Sequence, residues 1–145
     1  LNGKSSNEAA GSAEMQVVSN ERTVTVQFLA DTDPAMPWEF FPNVRSMKIH
    51  PGQIYKVDFH VRNPRGESMV GQAIPSVSPA RATAYFKKTE CFCFEQQILE
   101  ARGEIDMPLM FYVDPGLPEN IGTITLSYQL YNITERIEKN SLAAK

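Results

Sequence analysis

The chain has 145 residues, 42% of them hydrophobic, and a formal charge of −3. That suits one domain with one ordinary core. The mild acidity, with no basic cluster beyond Lys87-Lys88, argues against a nucleic-acid partner, and no apolar run approaches the roughly 20 residues of a membrane span.

Residues 1–21 are rich in Ser, Asn, Ala, Gly and Glu. This composition predicts a disordered tail or an artificial remnant, with at most a frayed helix near Ala13–Val18. Order is expected from Arg22. Val24, Val26 and Phe28 alternate with Thr23, Thr25 and Gln27, the pattern of a half-buried strand. Asp31-Thr32-Asp33-Pro34 ends it. Trp38 and Phe40 share a face, and Pro42 predicts an edge position for their strand. A strand is expected over Val44–His50, closed by the turn Pro51-Gly52.

The clearest amphipathic strand follows, with Tyr55, Val57, Phe59 and Val61 on one face and Ile54, Lys56, Asp58 and His60 on the other. Asn63-Pro64-Arg65-Gly66 reads as a turn. Met69–Ile74 reads as a strand stopped by Pro75, and Pro79–Phe86 as one helical turn. Ile98-Leu99 leads to a turn at Arg102-Gly103. Ile105–Val113 carries Pro108, which predicts an edge or a bulge. Gly122–Tyr131 alternates Ile124, Leu126, Tyr128 and Leu130 against polar residues. The residues from 135 onward read as a polar tail. Seven or more short strands with little helix predict an all-β antiparallel sandwich over residues 22–134. The triplet Asn132-Ile133-Thr134 matches a glycosylation acceptor, a pattern common by chance.

The two cysteines of the chain stand one residue apart in Glu90-Cys91-Phe92-Cys93-Phe94-Glu95. In a strand Cys91 and Cys93 share one face, while Phe92 and Phe94 anchor the other. Two extended residues span about 6.6 Å, at roughly 3.3 Å per residue. A disulfide needs its Cβ atoms about 3.5–4.5 Å apart, so a Cys91–Cys93 bond would buckle the strand. Two unpaired thiolates suit a soft ion, and Cu(I) is the soft ion that thiolates select. Zinc usually takes about four ligands from two such pairs, and no second pair exists here. The bland reading is that both cysteines act as small buried hydrophobes. His50 and His60 lie in ordinary strand stretches. Of the methionines, Met107 is the candidate thioether ligand, against the usual role of methionine as core filler.

Catalytic readings find little support. Neither histidine is tied to the cysteines by sequence, as a thiol nucleophile would need. Glu90, Glu95, Glu100 and Glu104 read as a solvated rim, and there is no Gly-rich phosphate loop. No enzymatic activity is expected.

Taken together, Thr23-Val24-Thr25-Val26, Pro37-Trp38-Glu39-Phe40, Pro51-Gly52, Asn63-Pro64, Ala84-Tyr85-Phe86-Lys87-Lys88, Cys91-Phe92-Cys93-Phe94, Asp106-Met107-Pro108, Val113-Asp114-Pro115 and Thr123-Ile124-Thr125-Leu126-Ser127-Tyr128 resemble the CtaG-type copper chaperones, assembly factors for cytochrome c oxidase. The resemblance runs from about Arg22 to Tyr131. It implies an immunoglobulin-like sandwich, held by one N-terminal helix on the periplasmic side of the bacterial inner membrane or in the mitochondrial intermembrane space. It implies delivery of Cu(I) to the oxidase subunit that carries the copper-B centre, after loading by an upstream copper donor protein. Cys91 and Cys93 match the family's copper ligands. The family's membrane helix and a further cysteine beside it have no counterpart here, so the chain reads as a soluble fragment without its membrane anchor. One chain offers two thiolates and no clear third ligand, which predicts a copper-dependent homodimer with a shared thiolate–copper cluster. Two alternatives stand beside this: a thiol–disulfide partner that reduces copper-site cysteines, and a sandwich interaction module with incidental cysteines.

Overall fold

The computed structural model describes residues 22–90 and 96–135. The expected tails, the helix near Ala13–Val18 and the Cys-Phe-Cys-Phe run lie outside these residues. Among these residues nine strands follow in chain order: β1 Val24–Thr32, β2 Glu39–Pro42, β3 Ser46–Ile49, β4 Tyr55–Arg62, β5 Met69–Ser78, β6 Phe86–Glu90, β7 Gln97–Leu99, β8 Glu104–Val113 and β9 Thr123–Asn132. A 3-10 helix over Ala80–Tyr85 stands where one helical turn is expected. One sheet has the order β3-β1-β9-β5-β7 and the other β2-β4-β8-β6. Together they form the sandwich that the strand pattern predicts, of the immunoglobulin-like kind that the family resemblance implies. One pairing departs from an all-antiparallel scheme, because β1 and β9 run parallel from Thr25↔Thr123 to Thr32↔Leu130. The first and last strands are joined through the whole domain, so no hairpin dictates their relative direction.

Alternation places the core. Val24, Val26 and Phe28 of β1, Val57, Phe59 and Val61 of β4, and Ile124, Leu126 and Tyr128 of β9 are buried, as is Trp38, while Tyr55 is partly buried against them. The sheets interlock through aromatic side chains. Phe28 meets Phe59 and Phe111 edge-on at centroid distances of 6.3 and 5.8 Å. Tyr128 meets Phe59 at 5.2 Å, and Phe86 stacks on Phe111 at 5.0 Å. Edge-to-face and offset pairs at these separations match the charge distribution of the rings.

Three expectations about strand limits are corrected. The strand predicted over Val44–His50 is confined to Ser46–Ile49. Asn43 still donates its N–H to Asp58 of the other sheet at 2.8 Å, and Arg45 is the first residue to reach β1, accepting from the Phe28 N–H at 2.9 Å. Pro75 does not stop β5, which pairs with β9 as far as Ser78↔Thr125. Pro108 does not mark an edge strand, because β8 lies between β4 and β6. Its register partner Asp58 turns both its N–H and its carbonyl to Asn43, on the β2 side. The Asp58–Pro108 pair therefore exchanges no backbone bonds, and the missing proline N–H removes nothing from the β4–β8 ladder. The Pro51-Gly52 turn forms as expected: Gly52 takes φ 91, which favours glycine, and donates to Val113 at 2.8 Å.

Gly71 of β5 has a different role. A Cβ at this position would lie 2.8 Å from Trp38 Cζ3 and 3.1 Å from Met36 Cε, both in buried side chains. The bare backbone is what lets the indole lie against β5. Gly71→Ala should therefore destabilise the domain by about 1–3 kcal/mol through overpacking. Denaturant unfolding of the variant should show a lower midpoint, and an unchanged midpoint would mean that Trp38 moves aside freely.

Candidate functional site

Cys91 and Cys93, the expected metal ligands, lie outside the described residues together with Phe92 and Phe94. What the structure gives is the frame at either end of that run. β6 is the outer strand of one sheet and β7 the outer strand of the other. Residues 91–96 thus link an edge of one layer to an edge of the second.

At the near end, β6 pairs with β8 from Phe86↔Val113 to Glu90↔Met110, with a register shift between Lys88 and Glu90. Such irregularities bend and twist an edge strand. Thr89 Oγ1 donates to the Met110 carbonyl at 3.3 Å. Lys88 holds its ammonium 5.7 Å from the centre of the buried Tyr128 ring, a cation–π distance.

At the far end, β7 pairs with β5 through Gln97↔Gly71, Ile98↔Val70 and Leu99↔Met69. Asn63 secures it from behind. Asn63 is the one buried polar residue among those described. Its Nδ2 lies 2.8 Å from the Glu67 carbonyl, 3.2 Å from that of Leu99 and 3.1 Å from that of Glu100, and its Oδ1 accepts from the Arg65 N–H at 3.0 Å. Its own N–H donates to Gly103 at 2.8 Å. The Asn-Pro turn of the sequence is thus a buried clamp holding the β4–β5 loop to the residues after β7. Composition signals the turn but not the clamp.

The remaining candidates fall away from the end of β6. Met107 is 3% exposed and pairs with Phe59, so it fills the core. Met110, opposite Glu90 and half-buried, is the methionine that the register brings to β6; Pro108 and the strand alternation gave no reason to prefer it. His60 is in register with Asp106, four residues along β8 from Met110, or about 13 Å of strand. Its Nδ1 lies 2.7 Å from Asp106 Oδ1 and its Nε2 3.0 Å from Glu104 Oε1, so both ring nitrogens are engaged. His50 donates from Nδ1 to the Arg22 carbonyl at 3.0 Å and sits beside the Gly52–Val113 contact, towards the Phe86 end of β6. Among the described residues, no three His, Cys, Asp or Glu side chains are arranged to hold a metal ion.

With this frame in place, the comparisons with known proteins decide the family. The model of the family described as cytochrome c oxidase assembly protein CtaG/Cox11 matches residues 1–132. The chain belongs to this family. Similar proteins include the cytochrome c oxidase assembly protein ctaG of Reclinomonas americana, 36% identical over 119 residues that make up 79% of this chain and 65% of the relative. CtaG of Chelativorans sp. (strain BNC1) is 42% identical over 116 residues, 77% of this chain and 57% of the relative. Mitochondrial COX11 of Mus musculus is 35% identical over 127 residues, 84% of this chain and 46% of the relative. The chain thus spans between about half and two thirds of the length of these relatives. The CtaG/Cox11 match begins at residue 1, so the family likeness includes the stretch that composition alone reads as a tail. Among the described residues no helix is long and apolar enough to cross a membrane.

The Asn63 clamp can be tested directly. Asn63→Ala takes the partner from the Glu67 carbonyl and the Arg65 N–H, while the Glu100 carbonyl keeps the Gly103 N–H at 2.9 Å and the Leu99 carbonyl keeps Ser68 Oγ at 3.5 Å. It should cost about 3 kcal/mol, given 1–3 kcal/mol for each buried group left unsatisfied. Asn63→Asp keeps the size but sets an acceptor against three acceptors, so it should cost at least as much. Thermal unfolding of both variants checks this, and melting temperatures within a degree of wild type would contradict it.

Proposed function

We propose that this chain is a Cu(I) carrier that supplies copper to the copper-B centre during cytochrome c oxidase assembly, holding the ion through the thiolates of Cys91 and Cys93. The observation that carries the reading is the Cys-Phe-Cys-Phe run, with the chain's only two cysteines, in a member of an oxidase assembly family. Covalent geometry supports it. Consecutive Cα atoms are about 3.8 Å apart, so Cys91 is tied to the described end of β6 and Cys93 follows within two residues. Two thiolates held by one short run present a soft, anionic pair to a soft cation. The protein binds and hands on the metal without turnover chemistry. A partner thiolate or imidazole enters the copper shell as one of the two cysteines leaves, so the ion is never free.

A complement that suits such a pair is a second copy of the chain. Thiolates bridge metal ions, and two pairs of Cys91 and Cys93 would enclose two copper ions in a four-sulfur cluster. The reading places the protein beside the oxidase, on the periplasmic face of a bacterial inner membrane or in the mitochondrial intermembrane space. Its partners there are the oxidase subunit with the copper-B site and an upstream copper donor.

Titration of the reduced chain with Cu(I), followed by ultraviolet thiolate–copper absorbance, should saturate at about one copper per chain, the ratio expected when two thiolates serve each soft ion. Cys91→Ser and Cys93→Ser should each lose most of the bound metal. Wild-type loading in both single variants would place the copper elsewhere. Light scattering of the loaded protein should report a dimer; a fully loaded monomer would mean that one chain holds its copper alone. The core described above is built from apolar side chains of both sheets, so circular dichroism of the reduced metal-free chain should keep its β signature, and a coil spectrum would contradict this.

A further inference from the structure

We propose that the open edge of β1 at Ala30–Thr32 is a docking groove that takes an extended segment of another polypeptide, with an acidic end, by strand addition. The edge is open for a stated reason. Thr25 donates to Gly122 and Asp33 to Leu130, both at 2.9 Å. The odd-numbered residues of β1 therefore turn their backbone groups to β9, and Val24, Val26, Phe28, Ala30 and Thr32 turn theirs to the opposite flank. β3 covers that flank only over Val24–Gln27, and Arg45 extends the cover to Phe28. The chain before Arg45 is fastened to the other sheet, where Asn43 and Asp58 exchange bonds at 2.8 and 3.0 Å. The switch between sheets at Asn43–Arg45 leaves the N–H and carbonyl of Ala30, and those of Thr32, without a strand partner among the described residues.

Exposed strand edges are usually blunted by lysine, proline, a bulge or a covering loop. Leu29-Ala30-Asp31-Thr32 carries none of these, its one charged residue being the exposed Asp31. The edge opens into a groove of about 440 Å3, lined on one side by Leu29 and Ala30, on the other by Phe41 and Pro42, and closed towards β3 by Arg45 and Ser46. Leu29 is 50% and Phe41 47% exposed, and the Phe41 ring also lies against His60 at a centroid distance of 5.1 Å.

These features specify the occupant. Free backbone groups at Ala30 select an extended backbone, the main-chain recognition of strand addition. Leu29 and Phe41 select apolar side chains at alternate positions. The exposed Arg45 forms no ion pair with a described residue, and it selects a carboxylate at the end nearest β3. An incoming strand that continues the direction of β3 runs antiparallel to β1 and brings its C-terminal end to Arg45. The groove belongs to the β3 side of β1, three strands from β7, so this inference stands apart from the copper reading.

The probe is a capped hexapeptide of alternating threonine and valine ending in glutamate, added to the full chain labelled with 15N. The amides of Ala30 and Thr32 should shift, and that of Ala30 should become protected from hydrogen exchange. Ala30→Pro removes an N–H that the fold does not use, which edge strands tolerate, and should abolish binding. Arg45→Glu should weaken binding about three- to fivefold, the scale of an exposed ion pair. Peptide-induced shifts confined to other strands, or binding unchanged in a folded Ala30→Pro variant, would overturn the proposal. So would Ala30 shifts that follow dilution of the protein alone, because a second copy would then own the edge. Should Ala30→Pro unfold, Ala30 protection together with the Arg45→Glu loss decides for the proposal, and the absence of either decides against it.

Discussion

Everything in this domain depends on the aromatic interlock between its two sheets. Phe28 and Tyr128 project from one layer, and Phe59 and Phe111 from the other, into contacts of 5.2–6.3 Å. Each ring meets its partner at a fixed inclination, so the interlock sets how the sheets face one another as well as that they adhere. Phe86 extends it to the outer strand β6 by stacking on Phe111. The edge that leads into the cysteine run is thereby tied to the centre of the core.

This has a consequence for a carrier of a soft ion. Such a protein must offer its ligands without refolding at each exchange, and it must also let them go. A core built from apolar side chains of both sheets suits the first requirement. In the chain the Cys-Phe-Cys-Phe run stands between two edge strands, β6 and β7, which suits the second. The two ends of the link are held by unlike means: Phe86 and the β6–β8 ladder secure one by packing, and Asn63 secures the other by hydrogen bonds to Glu67, Leu99 and Glu100. The flank of β1 shows the same economy. The chain crosses from one sheet to the other at Asn43–Arg45, and the strand it leaves uncovered is where a partner chain can add.

Much of this was legible in the residues. The alternation in Tyr55–Val61, in Val24–Phe28 and in Ile124–Leu130 gave strands and faces, because a side-chain period of two admits only one buried register. What stayed hidden depended on neighbours in space. Pro75 read as a breaker and Pro108 as the mark of an edge or a bulge, yet Pro75 sits within a long strand and Pro108 within an inner one, where its nitrogen faces away from the β4 ladder. Val44 read as part of a strand, but Asn43 is bonded to the other sheet. Met107 stood between thioether ligand and the more usual core filler, and it is core, 3% exposed with Phe59 as its partner across the ladder. Phe86 and Phe111 carry no periodic signal that separates them from any other strand aromatic, and Asn63 looked like one more turn residue. For the candidate site, the residue types were plain in Cys91 and Cys93, while the frame around them required the pairing of β6 and β7.

X-ray absorption at the copper edge of the Cu(I)-loaded chain tests the central claim most directly, because it reports which atoms surround the metal. Ligation by Cys91 and Cys93 predicts a first shell of sulfur alone, with a copper–copper signal if two chains share the cluster. A shell containing imidazole nitrogen would contradict the account, since His50 and His60 are both engaged away from the end of β6 and a site built on either one would have to lie elsewhere.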